Sequence, residues 1–200
     1  MHYSILLFSS FAFTALAWLP HERNLFNITG PSDAFQIDLP AGNGRTVKRT
    51  LPSSGKIRGV NLGSLFIVEP WMTPNEWSQI GCSSVGTEFD CVSKLGQAAA
   101  DSAFQAHWAR WITEADIVEM TTFSLNTIRI PVGYWMMESL VDPSEHFPRG
   151  GIKYLEKVCG WAADHGMYVI IDLHGAPMAQ VAHQPFTGQV NTPNARYAWY

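Results

Sequence analysis

The stretch Tyr168-Val169-Ile170-Ile171-Asp172-Leu173, followed by His174-Gly175, decides the fold class of this chain. It is apolar up to a polar tip, which is typical of a parallel strand buried on both faces. Residues 151–165, just before it, carry apolar side chains at three- and four-residue intervals, and Gly166 can cap the end of a helix. The sequence therefore predicts a helix that leads directly into a parallel strand.

Two further strands are predicted upstream of this helix. Residues 57–63 form the first, and residues 126–131 form the second, which we expect Pro131 to stop because it lacks an N–H donor. A long insertion and a helix capped by Thr113 lie between them. Alternation of strands and helices predicts the α/β class and leaves open whether the sheet is open or closed into a barrel. No glycine-rich phosphate-binding motif follows any strand, which disfavours nucleotide-binding folds.

Polar side chains lie at or just beyond the predicted strand ends. Arg129, Asp172 and His174 come from the second and third strands, and Glu69 and Trp71 follow the first. In parallel (β/α) barrels, the catalytic and binding residues lie at the carboxyl ends of the strands. Spacing alone leaves the alternatives open, because an arginine can also reach solvent and a histidine can also be a satisfied core residue.

Composition limits the class of partner. The chain is 46% hydrophobic and 15% charged, which is typical of a globular protein. Its formal charge of −4 argues against nucleic acids and anionic membranes, because both attract basic surfaces. Eight tryptophans suit a protein that stacks rings on sugars, although tryptophan also fills cores. No cysteine or histidine spacing indicates zinc, and we expect no cofactor and no metal.

The first residues predict export from the cell. Residues 5–16 are mostly apolar but too short for a membrane span, which needs about 20 residues. Ala15-Leu16-Ala17 offers a cleavage site, so residues 1–17 are predicted to be a signal peptide and the protein to be secreted, extracellular or in the cell wall. Residues 18–55 are predicted to form a leader or linker with a glycosylation acceptor at Asn27. Its dibasic pair Lys48-Arg49 is either a processing site or two solvated charges. The remaining 56–200 would be the folded part.

Three cysteines remain to be assigned in an oxidising compartment. Cys82 and Cys91 bracket a short polar loop, and we predict that they form a disulfide. Cys159 lies in an apolar helical context and is predicted to be a buried free thiol.

Several sequence blocks together resemble the fungal glucanases of family 5 of the glycoside hydrolases. The matching blocks are Arg58–Gly63 with Glu69-Pro70-Trp71, then residues 107–113, 126–135 and 171–177. Four loops most resemble the branch that acts on β-1,6-glucan; they are residues 64–68, 88–91, 144–151 and 186–189. The order and spacing of the blocks make the resemblance specific over residues 56 to about 190.

The resemblance implies a (β/α)8 TIM barrel, of which about the first three βα units are present here. It implies a retaining glycosidase with two glutamates about 5–5.5 Å apart. Arg129 would orient and ionise the nucleophile, and His174 would donate to a sugar hydroxyl in the −1 subsite. The substrate-binding residues implied are Glu69, Trp71, Asp172 and Trp135, the last offering a ring face to a pyranose. The partner would be β-glucan polysaccharide or oligosaccharide bound by a monomer, with neither nucleic acid nor membrane.

The chain also departs from the family pattern. It contains no Asn-Glu-Pro, the motif that carries the family's acid/base, and it reaches about three of eight strands. Met178 and Ser124 stand where the family usually has glycine. We therefore expect a secreted β-1,6-glucan hydrolase that is catalytically incomplete as given, with both catalytic glutamates beyond the chain. The alternatives are an exo-1,3-β-glucanase and a non-catalytic secreted glucan-binding remnant.

Overall fold

A computed structural model of the chain describes residues 16–18, 56–181 and 183–189. Four strands form one sheet in the order β1-β4-β3-β2: β1 (Leu16–Trp18), β2 (Gly59–Asn61), β3 (Thr127–Gly133) and β4 (Tyr168–Gly175). Strands β2, β3 and β4 are parallel to one another, and β1 runs antiparallel along β4. The described helices are α1 (Pro74–Ile80), α2 (Glu88–Leu95), α3 (Gln97–Arg110), α4 (Glu114–Thr122) and α5 (Ile152–Asp164). The α/β class predicted from the sequence is confirmed.

The strand that we predicted to be stopped by Pro131 continues through this residue to Gly133, so that prediction is wrong. The reason lies in the direction of the ladder. The carbonyl of Arg129 accepts from Leu62 N–H at 2.9 Å, so Arg129 faces β2, and Pro131, two residues further, faces the same side. Pro131 has no N–H to donate to the next carbonyl along β2, so the pairing with β2 ends at Asn61. On its other edge β3 stays paired with β4 through Pro131 to Gly133.

Strand β4 is not buried on both faces, contrary to the prediction. Val169 is fully buried against the helices, whereas Ile170, Asp172 and His174 on the opposite face are half-buried. Leu173, on the same face as Val169 but near the strand end, is 45% exposed. The face opposite the helices therefore carries the polar strand ends, which explains why an apolar run ends in a polar tip.

The two helices beside the sheet begin and end as their sequences predict. The N–H and hydroxyl of Thr113 both donate to Asp116 at 2.7 Å, which fixes the start of α4. Gly166, with φ of +68°, follows the end of α5 in the left-handed conformation that favours glycine. Ser124 adopts the same conformation after α4, with φ of +59°. This strained position is where the sequence departs from the family's glycine.

The insertion between β2 and β3 folds into α1, α2 and α3 and shares one apolar core with the sheet. Members of this core include Phe66, Phe104, Trp108, Ile117, Ile128, Ile130, Met167 and Val169. A disulfide joins Cys82, just after α1, to Cys91 in α2, with a Cα–Cα distance of 5.2 Å. Cys159 in α5 is a buried free thiol. The bridge closes a short loop and ties two insertion helices together.

The predicted signal peptide and leader fall mainly on residues 1–15 and 19–55, outside the described residues, as do Asn27 and the Lys48-Arg49 pair. The backbone of Leu16–Trp18 is described as β1, paired with Val169–Ile171 in the uncleaved chain. Within the described ranges, no helix is both long and apolar enough to cross a membrane.

The cysteines give a direct chemical test. Burial, with a smaller contribution from Glu156, raises the pKa of the Cys159 thiol to about 12, so iodoacetamide should leave the native protein unlabelled at pH 8. In denaturant without reductant one cysteine should react, and after reduction all three should react, as read by intact mass. Three labels before reduction would contradict the Cys82–Cys91 bridge.

Candidate active site at the strand ends

The register of the sheet places three polar side chains on the same face. Asn61 on β2 is paired in register with Arg129 on β3, and Arg129 in turn with Ile170 on β4. Asp172 lies two residues beyond Ile170, and side chains two apart along a strand point to the same face. Asn61, Arg129 and Asp172 therefore converge on the face opposite the helices.

Hydrogen bonds join these side chains into one cluster. Arg129 donates from Nη1 to Asn61 Oδ1 at 2.7 Å and from Nη2 to Asp172 Oδ2 at 2.6 Å. His174 Nδ1 lies 2.8 Å from the same Oδ2. One carboxylate oxygen thus receives two donors from neighbouring positions at the ends of β3 and β4. The arginine stays 40% exposed, so its remaining N–H groups are open to a further acceptor.

The cluster determines which proton His174 carries. Nδ1 lies 2.8 Å from Asp172 Oδ2 and 3.4 Å from Arg129 Nη2. The shorter, charge-assisted contact requires an N–H on Nδ1, because a lone pair there would face the carboxylate. In the neutral ring Nε2 is then an acceptor. The predicted donation from His174 to a sugar hydroxyl stays a prediction, which requires the ring protonated on both nitrogens; the neutral ring of this geometry accepts from a hydroxyl.

Asp172 holds the cluster together, and the substrate-binding role predicted for it stays a prediction. Its Oδ2 is occupied by protein donors, Arg129 and His174, and the side chain is less exposed than that of Arg129. A carboxylate already engaged by two donors has less capacity left for sugar hydroxyls. Its position supports orientation of the arginine and the histidine.

Glu69 and Trp71 lie in the loop that follows β2 and contact each other. The indole Nε1 of Trp71 donates to Glu69 Oε2 at 2.9 Å, and the tryptophan is 70% exposed. The bond orients the carboxylate, while the ring leaves a large surface in solvent. An exposed indole beside a carboxylate offers both a stacking surface and a hydrogen-bond acceptor, as the predicted sugar-binding roles require.

Trp135 does not present a ring face, contrary to the prediction. It is 2% exposed and stacks on Phe147, with ring centroids 4.3 Å apart and planes at 8°. A Cβ added at Gly133, Gly175 or Gly188 would lie 2.3 to 2.7 Å from its ring atoms. The glycines thus allow the backbone to pack directly on the indole. Trp135 supports the strand ends from within and offers no surface to a pyranose in this structure.

Two buried side chains from the insertion hold the loop that carries Glu69. His107 on α3 lies with Nε2 2.8 Å from the Ser64 carbonyl and 3.1 Å from the Leu65 carbonyl. Its Nδ1 lies 2.7 Å from Glu76, which also accepts from Arg110. Ser64 adopts a left-handed φ of +54°, so this bonding fixes a turn that the backbone would otherwise avoid.

Glu88 is the second of these side chains. It is 1% exposed at the start of α2, and its Oε1 accepts from Val68 N–H at 2.8 Å. Burial raises the pKa of Glu88 to about 8, and the Val68 N–H and the Trp135 indole oppose this rise. Among the described residues, neither Glu88 Oε2 nor Trp135 Nε1 has a hydrogen-bond partner of ordinary geometry, although the indole acts as a donor towards the carboxyl in opposing the rise of its pKa.

The sequence identified Arg129, Asp172, His174, Glu69 and Trp71, and the structure joins the first three in one cluster and the last two in another. Sequence reasoning missed the supporting roles of His107 and Glu88, although both lie in blocks that resemble the family. Glu88 follows Thr87 at a helix start, so its local pattern is that of an ordinary capping acid. Among the described residues, no group of three or more His, Cys, Asp or Glu could hold a metal ion.

Comparison with known proteins defines the class. Residues 92–199 match the profile of Cellulase (glycosyl hydrolase family 5), which is more than half of the chain. The chain therefore belongs to glycosyl hydrolase family 5, and the family predicted from the sequence is confirmed. The crystal structure of rutinosidase from Aspergillus niger is similar, with a TM-score of 0.56 at 26% identity over 62% of this chain and 34% of that one.

Curated relatives are more similar in sequence. Glucan endo-1,6-beta-glucosidase B of Emericella nidulans is 56% identical over 191 residues, which cover 94% of this chain and 45% of the relative. Glucan 1,3-beta-glucosidase of Blumeria graminis is 40% identical over 128 residues, which cover 62% of this chain and 29% of the relative. The chain thus spans less than half the length of either relative.

Replacement of Arg129 by lysine tests the cluster. The change is best made in a chimera in which this chain is continued by the remaining length of the Emericella nidulans relative. One ammonium cannot hold Asn61, Asp172 and a further carboxylate in fixed geometry, so kcat should fall about 100-fold with little change in KM. Arg149→Lys, at an exposed position, is the control. A lower thermal midpoint with unchanged kcat would show that Arg129 only stabilises the fold.

The raised pKa of Glu88 predicts how stability depends on pH. The folded chain keeps a proton that the unfolded chain releases above a pKa of 4.5, so stability should fall as pH rises towards the folded value of about 8. Glu88→Gln cannot ionise and should flatten this fall in urea titrations at pH 5 and pH 8. Equal slopes in the two proteins would show that Glu88 is already ionised in the folded chain.

Proposed function

We propose that this chain supplies the first three βα units and part of the −1 subsite of a (β/α)8 barrel that hydrolyses β-1,6-glucan with retention. The observation that carries the proposal is the cluster of Arg129, Asp172 and His174 at the carboxyl ends of parallel strands. Catalytic groups of parallel barrels gather at these ends. The three strands, paired in order, fit the opening of such a barrel.

The cluster suits glycoside hydrolysis in its electrostatics. A retaining enzyme needs one ionised glutamate as nucleophile and one protonated glutamate as acid. Arg129, held by Asn61 and Asp172, offers its remaining N–H groups to a carboxylate and would keep it ionised and in place. Neither glutamate is assigned to this chain, because the acid/base motif Asn-Glu-Pro is missing from its sequence. This part of the protein would orient the nucleophile and bind sugar.

The substrate that fits the described side chains is a neutral polysaccharide. Glu69 and the neutral form of His174 accept from hydroxyls, and Trp71 offers a ring to the apolar face of a pyranose. The 56% identity to a relative named for the 1,6 linkage favours β-1,6-glucan over β-1,3-glucan, since the relative named for the 1,3 linkage shares 40%. Hydrolysis of β-1,3-glucan is the second candidate activity.

Secretion to the cell surface or cell wall is part of the proposal, with cleavage after Ala17 and glycan attached at Asn27. One feature of the sheet supports cleavage. Strand β1 occupies the outer edge of β4, which is the edge that the next parallel strand of a barrel needs. Removal of residues 1–17 would free most of that edge. We propose that the mature protein acts as a monomer.

Activity assays on two proteins test the function. The 200-residue chain should not cleave pustulan or laminarin above a mock preparation, because the acid/base motif is missing from its sequence. The chimera with the Emericella nidulans relative should release reducing sugar from pustulan faster than from laminarin. Preference for laminarin would favour the second candidate. Binding of pustulan by the 200-residue chain, with no cleavage by the chimera, would favour the non-catalytic glucan-binding reading.

A further inference from the structure

The backbone of the loop after β2 depends on an acceptor from the insertion. Val68 is buried between the turn at Ser64 and the exposed Trp71, where the β2 ladder no longer provides partners. Its N–H donates to Glu88 Oε1 at 2.8 Å, and the next N–H, that of Glu69, donates to Ser64 Oγ at 3.3 Å. A buried N–H without an acceptor destabilises a loop, so these two bonds fix the backbone on which Glu69 is carried.

The Glu88 carboxyl also lies close to the Trp135 indole, which packs on the ends of β3 and β4. Glu88 Oε2 is buried and has no hydrogen-bond partner within the part of the chain that the structure describes, and the Trp135 indole is close enough to oppose the rise in the pKa of Glu88. Trp135 packs on Gly133 at the end of β3 and on Gly175 at the end of β4. Glu88 therefore lies between the loop that carries Glu69 and the strand ends that carry the arginine cluster.

Neither helix capping nor core packing requires a carboxyl at this position. The first turn of α2 already has Asp90, whose N–H donates to Thr87 Oγ1 at 3.1 Å. A carboxyl in a closed core is costly compared with an apolar side chain of similar volume. Among the described residues, the hydrogen bond that the Glu88 side chain forms is the one that it accepts from Val68 N–H. An apolar side chain could not accept the hydrogen bond from Val68 N–H, and this bond is the one that fixes the loop after β2.

We propose that Glu88 is a positioning residue that sets Glu69 and Trp71 for sugar binding by holding the Val68 backbone through its N–H. The inference rests on the proposed function for its sugar-binding consequence, whereas the contact itself does not depend on it. The role needs only an acceptor oxygen, so a glutamine should serve and an apolar side chain of similar length should not.

The variants are Glu88→Met, which removes the acceptor, and Glu88→Gln, which keeps it, both in the chimera with the Emericella nidulans relative. At pH 5 Glu88→Met should lower kcat/KM on pustulan about tenfold or more with a raised KM, and Glu88→Gln should stay within about threefold of wild type. Asp90→Asn, a carboxyl-to-amide change on the same helix, is the matched control and should change neither. Equal losses in the Met and Gln variants would overturn the proposal.

A double-mutant cycle shows whether Glu88 acts through Glu69. When Glu69→Gln is already present, adding Glu88→Met should cost less activity than it does in the wild type, because one of the two groups that Glu88 positions, the Glu69 carboxylate, is absent. Fully additive losses would overturn the proposal, since they would place the effect of Glu88 elsewhere. The thermal unfolding of each variant is measured beside its kinetics. A merely structural role of Glu88 would lower the midpoint of thermal unfolding, and the losses of activity from the Glu69 and Glu88 changes would then be additive.

Hydrogen exchange tests the contact without any assay of activity. In the wild-type protein, peptides that cover residues 66–71 should exchange slowly although this loop lies outside the strand ladder. Glu88→Met should speed exchange there and Glu88→Gln should not. Fast exchange of this segment in the wild type would overturn the proposal even if Glu88→Met does not fold. If the chimera does not cleave pustulan and the exchange pattern holds, the proposed function fails and the positioning role stands.

Discussion

The site depends on a single carboxylate oxygen. Asp172 Oδ2 receives Arg129 from the neighbouring strand and His174 from its own, at 2.6 and 2.8 Å. This contact fixes the direction of the guanidinium, the tautomer of the imidazole and the relative position of two strand ends. A half-exposed ion pair of this kind contributes little to the free energy of unfolding. Its contribution is geometric, because the arginine reaches further ligands only from this fixed position.

Around this cluster, the insertion between β2 and β3 supports the site from within. His107 bonds the carbonyls at the Ser64 turn, and Glu88 bonds the Val68 amide, so both ends of one short loop are held by buried polar groups. Buried polar groups are costly when unpaired, which makes the loop geometry sensitive to each of them. The disulfide between α1 and α2 restrains the helix from which Glu88 projects. The insertion is therefore part of the site, although it contributes no side chain to the cluster at the strand ends.

Much of the fold followed from periodicity. The apolar run before Asp172 and the helical spacing before Gly166 predicted β4 and α5 within two residues, because both patterns reflect local burial. Pro131 was misjudged because the missing donor ends the pairing only on the β2 side, whereas β3 continues along β4, and the number of neighbours of a strand is a tertiary property. Trp135 was misassigned for a similar reason. Its burial depends on three glycines and on Phe147, which come together only in the folded chain.

The strand-end residues were recognised because a polar residue after an apolar run can be seen in the sequence alone. Glu88 was not, because a carboxylate after a threonine at a helix start is the ordinary pattern of a solvated first turn. What separates Glu88 from Asp90, two residues away on the same turn, is only which side of α2 faces the core. The packing of α2 on the loop after β2 determines which side of the helix is buried. A carboxyl that positions the site, such as that of Glu88, can therefore have the same sequence pattern as an ordinary helix-capping acid. The strand motifs of the family already predict the residues at the strand ends. The structure adds the buried acid on an insertion helix, which those motifs do not predict.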